Sequence, residues 1–81
     1  MEKDKYFTTK DFYLSTALMA AGLKLRQLNR LNNKLVEFIF DHSPEDVENT
    51  IQSHWDRSLL VASKDLVEAI KELKARLYER V

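Results

Sequence analysis

Apolar residues change their spacing several times along this chain, and each change predicts an element. Leu14, Leu18 and Ala21 recur on one helical stripe, with Phe12 and Met19 beside it. That near-continuous apolar surface predicts a helix lying between two layers. Tyr6-Phe7-Thr8-Thr9 is β-prone, yet Thr8-Thr9-Lys10-Asp11 fits the Ser/Thr-x-x-acid form of a helix N-cap. Giving the cap priority places the helix at about 10–21, ended by Gly22 as a left-handed C′ residue. Beyond Gly22 the period becomes two. Leu23-Lys24-Leu25-Arg26-Gln27-Leu28 reads as a strand, answered past Asn32-Asn33 by Leu35-Val36-Glu37-Phe38-Ile39-Phe40. Asn tolerates positive φ, so Asn32-Asn33 predicts a two-residue hairpin turn between strands at about 23–30 and 34–41. In that register Leu31 faces Lys34, Asn29 faces Val36, Gln27 faces Phe38 and Leu25 faces Phe40. Leu23, Leu25, Val36, Phe38 and Phe40 then form the core face. Arg26, Leu28, Arg30, Leu35, Glu37 and Ile39 form a mixed outer face.

Ser43-Pro44-Glu45-Asp46 is a helix start, with Ser43 as N-cap, Pro44 at the first helical position and two carboxylates in the positive first turn. Val47, Ile51 and Trp55 give this helix, about 44–55, one apolar stripe. Leu59-Leu60-Val61 follows as an extended crossing or a short third strand. Ser63 then caps a helix at about 64–79 carrying Leu66, Ile70, Leu73 and Leu77, flanked by Val67, Tyr78 and Val81. Glu72 and Arg76 pair one turn apart on its other side, for about 0.2–0.5 kcal/mol. A lone hairpin is marginal in water and needs helices on its apolar face. The expected fold is therefore a small α+β two-layer sandwich over one domain, 1–81, in the order helix, β-hairpin, helix, short extended segment, helix.

Composition narrows the function classes. The chain has 81 residues, 44% apolar and 32% charged, which is ordinary globular composition and enough to fold unaided. A domain this size buries only about 60–65% of its unfolded surface, so its stability is expected to be modest. Thirteen basic residues balance thirteen acidic ones, so nucleic-acid or membrane binding must come from a local patch. There is no cysteine, which excludes disulfides, thiolate metal sites and a cysteine nucleophile and fits a reducing, cytoplasmic compartment. Met1-Glu2-Lys3-Asp4-Lys5 alternates charge and does not read as a signal peptide. The longest uncharged run, Phe12 to Leu23, is short of the roughly 20 residues that span a bilayer, so no membrane association is expected.

Tyr6-Phe7-Thr8-Thr9-Lys10-Asp11-Phe12-Tyr13-Leu14 through Gly22, then Val36-Glu37-Phe38-Ile39-Phe40 and the final Leu-rich helix, resemble a short prokaryotic, archaeal and phage domain family of unknown function. That family has an aromatic-Thr-x-Asp-Phe-Tyr-Leu opening, a glycine about ten residues on, and a Phe-x-Phe strand. The likeness spans nearly the whole chain, and its motifs are a capped helix, a glycine stop and a core strand. The resemblance implies the fold and a prokaryotic or mobile-element origin, and carries over no site residues.

Candidate chemistry is sparse. His42 and His54, the only histidines, lie at opposite ends of one expected helix, about 18 Å apart. They cannot share an ion, even with Asp41, Asp46 or Asp56 nearby, so no metal site and no cofactor are expected. With one glycine in the chain there is no phosphate loop, and neither Gly-x-Ser-x-Gly nor His-Glu-x-x-His occurs, so the expectation is a non-enzyme. Glu45 and Asp46 are accounted for by the helix dipole. The hairpin offers more. Lys24, Arg26, Arg30 and Lys34 lie along it with no acidic residue from Gly22 to Lys34, and Asn32 and Asn33 add amides. Such a ribbon could meet phosphates, although the same charges also serve to keep an exposed sheet edge soluble. Leu28, Leu35 and Ile39 on the outer face form a second candidate, an apolar patch for a protein partner or a homodimer. The expected function is a non-enzymatic accessory or adaptor domain, binding nucleic acid through the hairpin or, as the alternative, oligomerising.

Overall fold

A computed structural model describes residues 6–78. Met1 to Lys5, the expected helix end at 79, and Val81 lie outside the described residues. The elements run β1 Phe7–Thr9, α1 Phe12–Ala20, β2 Leu25–Arg30, β3 Val36–Phe40, α2 Pro44–Trp55 and α3 Ser63–Tyr78. The three strands form one antiparallel sheet in the order β1-β3-β2. Helices cover one face of it, in an α+β architecture with extents of 40 × 34 × 17 Å. The shortest of these is what two layers allow.

The third strand is the β-prone segment before α1, not Leu59-Leu60-Val61, which crosses without joining the sheet. Strand and cap do not compete, because the cap sits two residues later than expected. Asp11 Oδ1 accepts from Leu14 N at 3.0 Å, and Thr9 Oγ1 accepts from Asp11 N at 3.1 Å. This frees Phe7, Thr8 and Thr9 to pair with Phe40, Ile39 and Phe38.

The hairpin register also differs from the expected one. The pairs are Arg30 with Val36, Asn29 with Glu37, Leu28 with Phe38 and Gln27 with Ile39, then a bulge at Arg26, then Leu25 with Phe40. The turn is three residues, Asn32 to Lys34, closed by Leu31 N donating to Leu35 O at 2.9 Å. Its cause is the Asn32 side chain, whose Oδ1 accepts from Lys34 N at 2.8 Å and Leu35 N at 2.9 Å. Among the described residues only Gly22 and Arg57 have positive φ, so neither asparagine supplies the left-handed backbone of a two-residue turn. A one-residue slip exchanges the faces of a strand. Leu28 and Arg30 therefore turn to the helical side, and the bulge restores the alternation so that Leu25 remains there too.

The core is Leu14, Leu18, Phe38, Phe40 and Leu73, with Phe7, Phe12, Met19, Leu23, Leu25, Leu28, Val36, Ile51 and Leu77 packed around it. Five consecutive α1 residues, Leu14 to Leu18, are buried, as befits a helix enclosed by the sheet, α2 and α3. The two polar ones donate within the helix, Ser15 Oγ to Asp11 O and Thr16 Oγ1 to Tyr13 O, each at 2.8 Å. α2 begins with a capping box between Ser43 and Asp46. Both α1 and α2 end in Schellman motifs. In the first, Leu23 N reaches Leu18 O and Gly22 N reaches Met19 O, both at 3.0 Å. In the second, Ser58 N reaches Ser53 O at 2.9 Å and Arg57 N reaches His54 O at 3.2 Å. Glycine fills the left-handed position once, at Gly22 (φ +101°), and arginine fills it once, at Arg57 (φ +67°).

Candidate interaction surfaces

The hairpin cations expected to act together are divided between two faces. Arg26, on the bulge, lies on the open side of the sheet, 4.0 Å from the Asp41 carboxylate and 4.7 Å from the centroid of the Tyr6 ring. Arg30 points the other way, and its Nη2 donates to Leu77 O at 2.9 Å in the last turn of α3. A cation there meets the negative end of the helix dipole. Lys24 is exposed and its backbone N–H donates to His42 Nε2 at 3.0 Å. Asn32 closes the turn as described, while Asn33 and Lys34 are exposed beside it. Lys24, Arg26, Asn33 and Lys34 thus remain along one exposed edge, whereas Arg30 and Asn32 hold the fold.

The expected apolar patch is also divided. Leu28 packs against the core. Leu35 stays exposed but pairs with Leu31 at the hairpin tip, and Ile39 is half-buried in the open sheet face between Thr8 and Gln27. Between them the Asn29 amide donates to the Glu37 carboxylate at 3.3 Å. The open sheet face is therefore mostly polar, with charges of both signs. His42 and His54 do not meet. His54 instead sets its ring edge-on to Trp55, with centroids 4.7 Å apart. Among the described residues no three His, Asp or Glu side chains are grouped to hold a metal ion, and no helix is long and apolar enough to cross a membrane.

The largest exposed apolar side chains lie mainly on the helical elements and their connection. Tyr13, Trp55, Leu60 and Tyr78 are 64%, 60%, 92% and 79% exposed. A cleft of about 270 Å³ is lined by Tyr13, Ala17, His54, Leu59, Val61 and Ile70, with Thr16, Arg57 and Leu66 completing it. α3 builds one wall because its apolar stripe is wider than the core uses. Only Ala69 and Leu73 are buried, leaving Leu66 and Ile70 for the cleft. The connection builds the other, pinned by Ser58 N and Leu59 N donating to Ser53 O. Sequence reasoning missed this surface, and its one local signal was the run Leu59-Leu60-Val61, which lacks a polar residue on either face. A wider groove of about 520 Å³ lies between the end of α1, the start of β2 and α3. Its charges include Glu68, which bonds Lys64 at 3.1 Å, and Glu72, which lies 3.8 Å from Arg76. These ion pairs along one helix describe a solvated face.

No curated protein and no solved structure matches the chain. The opening motif, the glycine stop and the Phe-x-Phe strand all fall within residues 4–79, which match the family model for a domain of unknown function, DUF5659, and the chain belongs to that family.

Proposed function

We propose that this chain is a non-enzymatic adaptor domain that docks other protein surface on its helical side. The observation that carries this reading is the apolar cleft lined by Tyr13, Leu59, Val61, Leu66 and Ile70, with the Tyr13 ring left largely bare by a fold small enough to need every apolar contact. Aromatic residues beside an apolar depression are the usual anchors of a protein interface. A cysteine-free composition suits a reducing compartment such as the cytoplasm. The test is a photo-crosslinking amino acid at position 60, compared with one at position 27 on the open sheet face, in cells that make the protein. Protein adducts formed from position 60 and lost on Val61→Glu support docking. Equal protein adducts from both positions, or none from position 60, would sink it.

Nucleic-acid binding through the hairpin is the second reading, favoured by Lys24, Arg26 and Lys34 along the free edge of β2. It asks Arg26 to leave Asp41 and Tyr6 for a phosphate. Salt-sensitive binding of DNA or RNA that weakens on Arg26→Ala supports it, and no binding at low ionic strength ends it.

A further inference from the structure

We infer that the segment docked in the cleft is acidic, with an Asp or Glu carboxylate on Arg57 and a neighbouring apolar side chain in the depression. The inference rests on the docking reading above and adds the chemistry of the partner.

Charge complementarity carries it. Arg57 is the one permanently charged residue lining the cleft, and no Asp or Glu lines it. The chain as a whole is balanced, thirteen cations against thirteen anions, so this sign is local. α3 makes the division. It gives Leu66 and Ile70 to the cleft, and Asp65, Glu68 and Glu72 to the groove on its other flank. Asp56 adjoins Arg57 in sequence but is not part of the lining, and its Oδ1 accepts from Gln52 Nε2 at 3.2 Å, one turn back along α2.

Arg57 also stands apart from the other arginines of the fold. Arg26 lies by Asp41 and Tyr6, Arg30 donates to Leu77 O, and Arg76 lies by Glu72. Among the described residues the Arg57 guanidinium has no such partner. Its backbone holds φ +67°, in a Schellman position that Gly22 fills at the end of α1. Backbone strain on a non-glycine residue clusters at ligand clamps. Here it sets a cation with no internal partner at an apolar depression.

The other segment chemistries fit worse. A wholly apolar segment would cover Arg57 and take its charge out of water with nothing to meet it. A basic segment would repel it. Nucleic acid needs several cations in a row for its phosphates, and the lining offers one. A carboxylate matches the guanidinium fork, and apolar walls around the pair strengthen it.

Phage-displayed short random peptides panned on the full chain test this. Clones are kept if they bind the parent but not Tyr13→Ala, a neutral change at an exposed cleft residue that does not bias the selection by charge. The retained peptides should be enriched in Asp or Glu beside an aliphatic or aromatic residue. Arg57→Gly should weaken the synthesised peptides about threefold to fivefold, the worth of an exposed ion pair. It should do so without lowering the urea midpoint, because glycine suits that backbone angle. Panning on Arg57→Glu should exchange the acid for Lys or Arg. Retained peptides with no excess of acid, or indifferent to Arg57→Gly, overturn the inference and leave the docking reading standing. A library that yields no Tyr13-dependent peptide also overturns it, and cross-linking from position 60 then decides docking on its own. A dimer mass in sedimentation equilibrium that Tyr13→Ala abolishes would give the cleft to a second copy, which overturns it as well.

Discussion

Gly22 offers a clean separation of backbone strain from side-chain crowding. Its φ is +101°, and a Cβ built there meets nothing within 4 Å, so substitution at this position costs only what the backbone angle imposes. An L-residue in the left-handed region carries about 1–2 kcal/mol of strain. Losing glycine stiffens the unfolded chain and returns about 0.4–1 kcal/mol. Gly22→Ala should therefore destabilise by about 1 kcal/mol. Asparagine tolerates positive φ better than alanine although it is larger. Gly22→Asn should thus cost less than Gly22→Ala, whereas any crowding would reverse that order. Urea unfolding followed by circular dichroism at 222 nm reads the helices, because Trp55 is too exposed to be a sharp fluorescent probe. With the slope of about 1 kcal/mol per molar urea typical of a chain this short, Gly22→Ala should lower the midpoint by about 1 M. The corresponding fall in Tm is about 4–8 °C. An asparagine variant no more stable than the alanine one would refute the backbone argument, and so would an alanine variant indistinguishable from the parent.

Two further experiments address the hairpin. Arg30→Ala should cost about 0.5–1.5 kcal/mol by freeing Leu77 O at the end of α3. Arg26→Ala should stay within about 0.5 kcal/mol, because its ion pair with Asp41 is nearly half exposed on both sides. Equal losses in denaturant titrations would count against the register found here. Leu28→Asp should unfold the domain by placing a charge against Phe38, while Leu35→Asp should be tolerated at the exposed hairpin tip. Comparing amide dispersion in their NMR spectra decides it, and tolerance of both substitutions would restore the two-residue turn, which sets both leucines on the outer face.

Elements whose signals are local were legible in the sequence. α2 starts where Ser43, Pro44 and Asp46 say it must, and α3 follows its apolar spacing to within a residue at its start. The family resemblance was legible for the same reason, since its motifs are caps, stops and core strands. The register was not, because Asn32 acts through its side-chain carbonyl rather than through a left-handed backbone, and pattern alone does not distinguish these. β1 was hidden by a cap motif that overlaps it, when Asp11 was able to cap from two residues further on. The apolar cleft drew its walls from positions 13–17, 54–61 and 66–70. Each stretch reads as unremarkable helix or connection, and only the packing of α1 against α3 assembles them. The hairpin cations were visible as residues, but which face each occupied depended on the slip that the turn introduced.

The strand order has a consequence for synthesis on the ribosome. β3 is the most apolar strand and lies in the middle of the sheet, paired on one side with the strand just before it and on the other with β1, about thirty residues upstream. Both partners leave the ribosome before β3 does. When Val36 to Phe40 emerges, neither of its sides has to wait for a segment not yet made, so the stretch most prone to pair with a neighbouring nascent chain is covered as soon as it is free. A circular permutant that moves β1 to the end of the chain would keep every contact of the fold and lose that order of arrival.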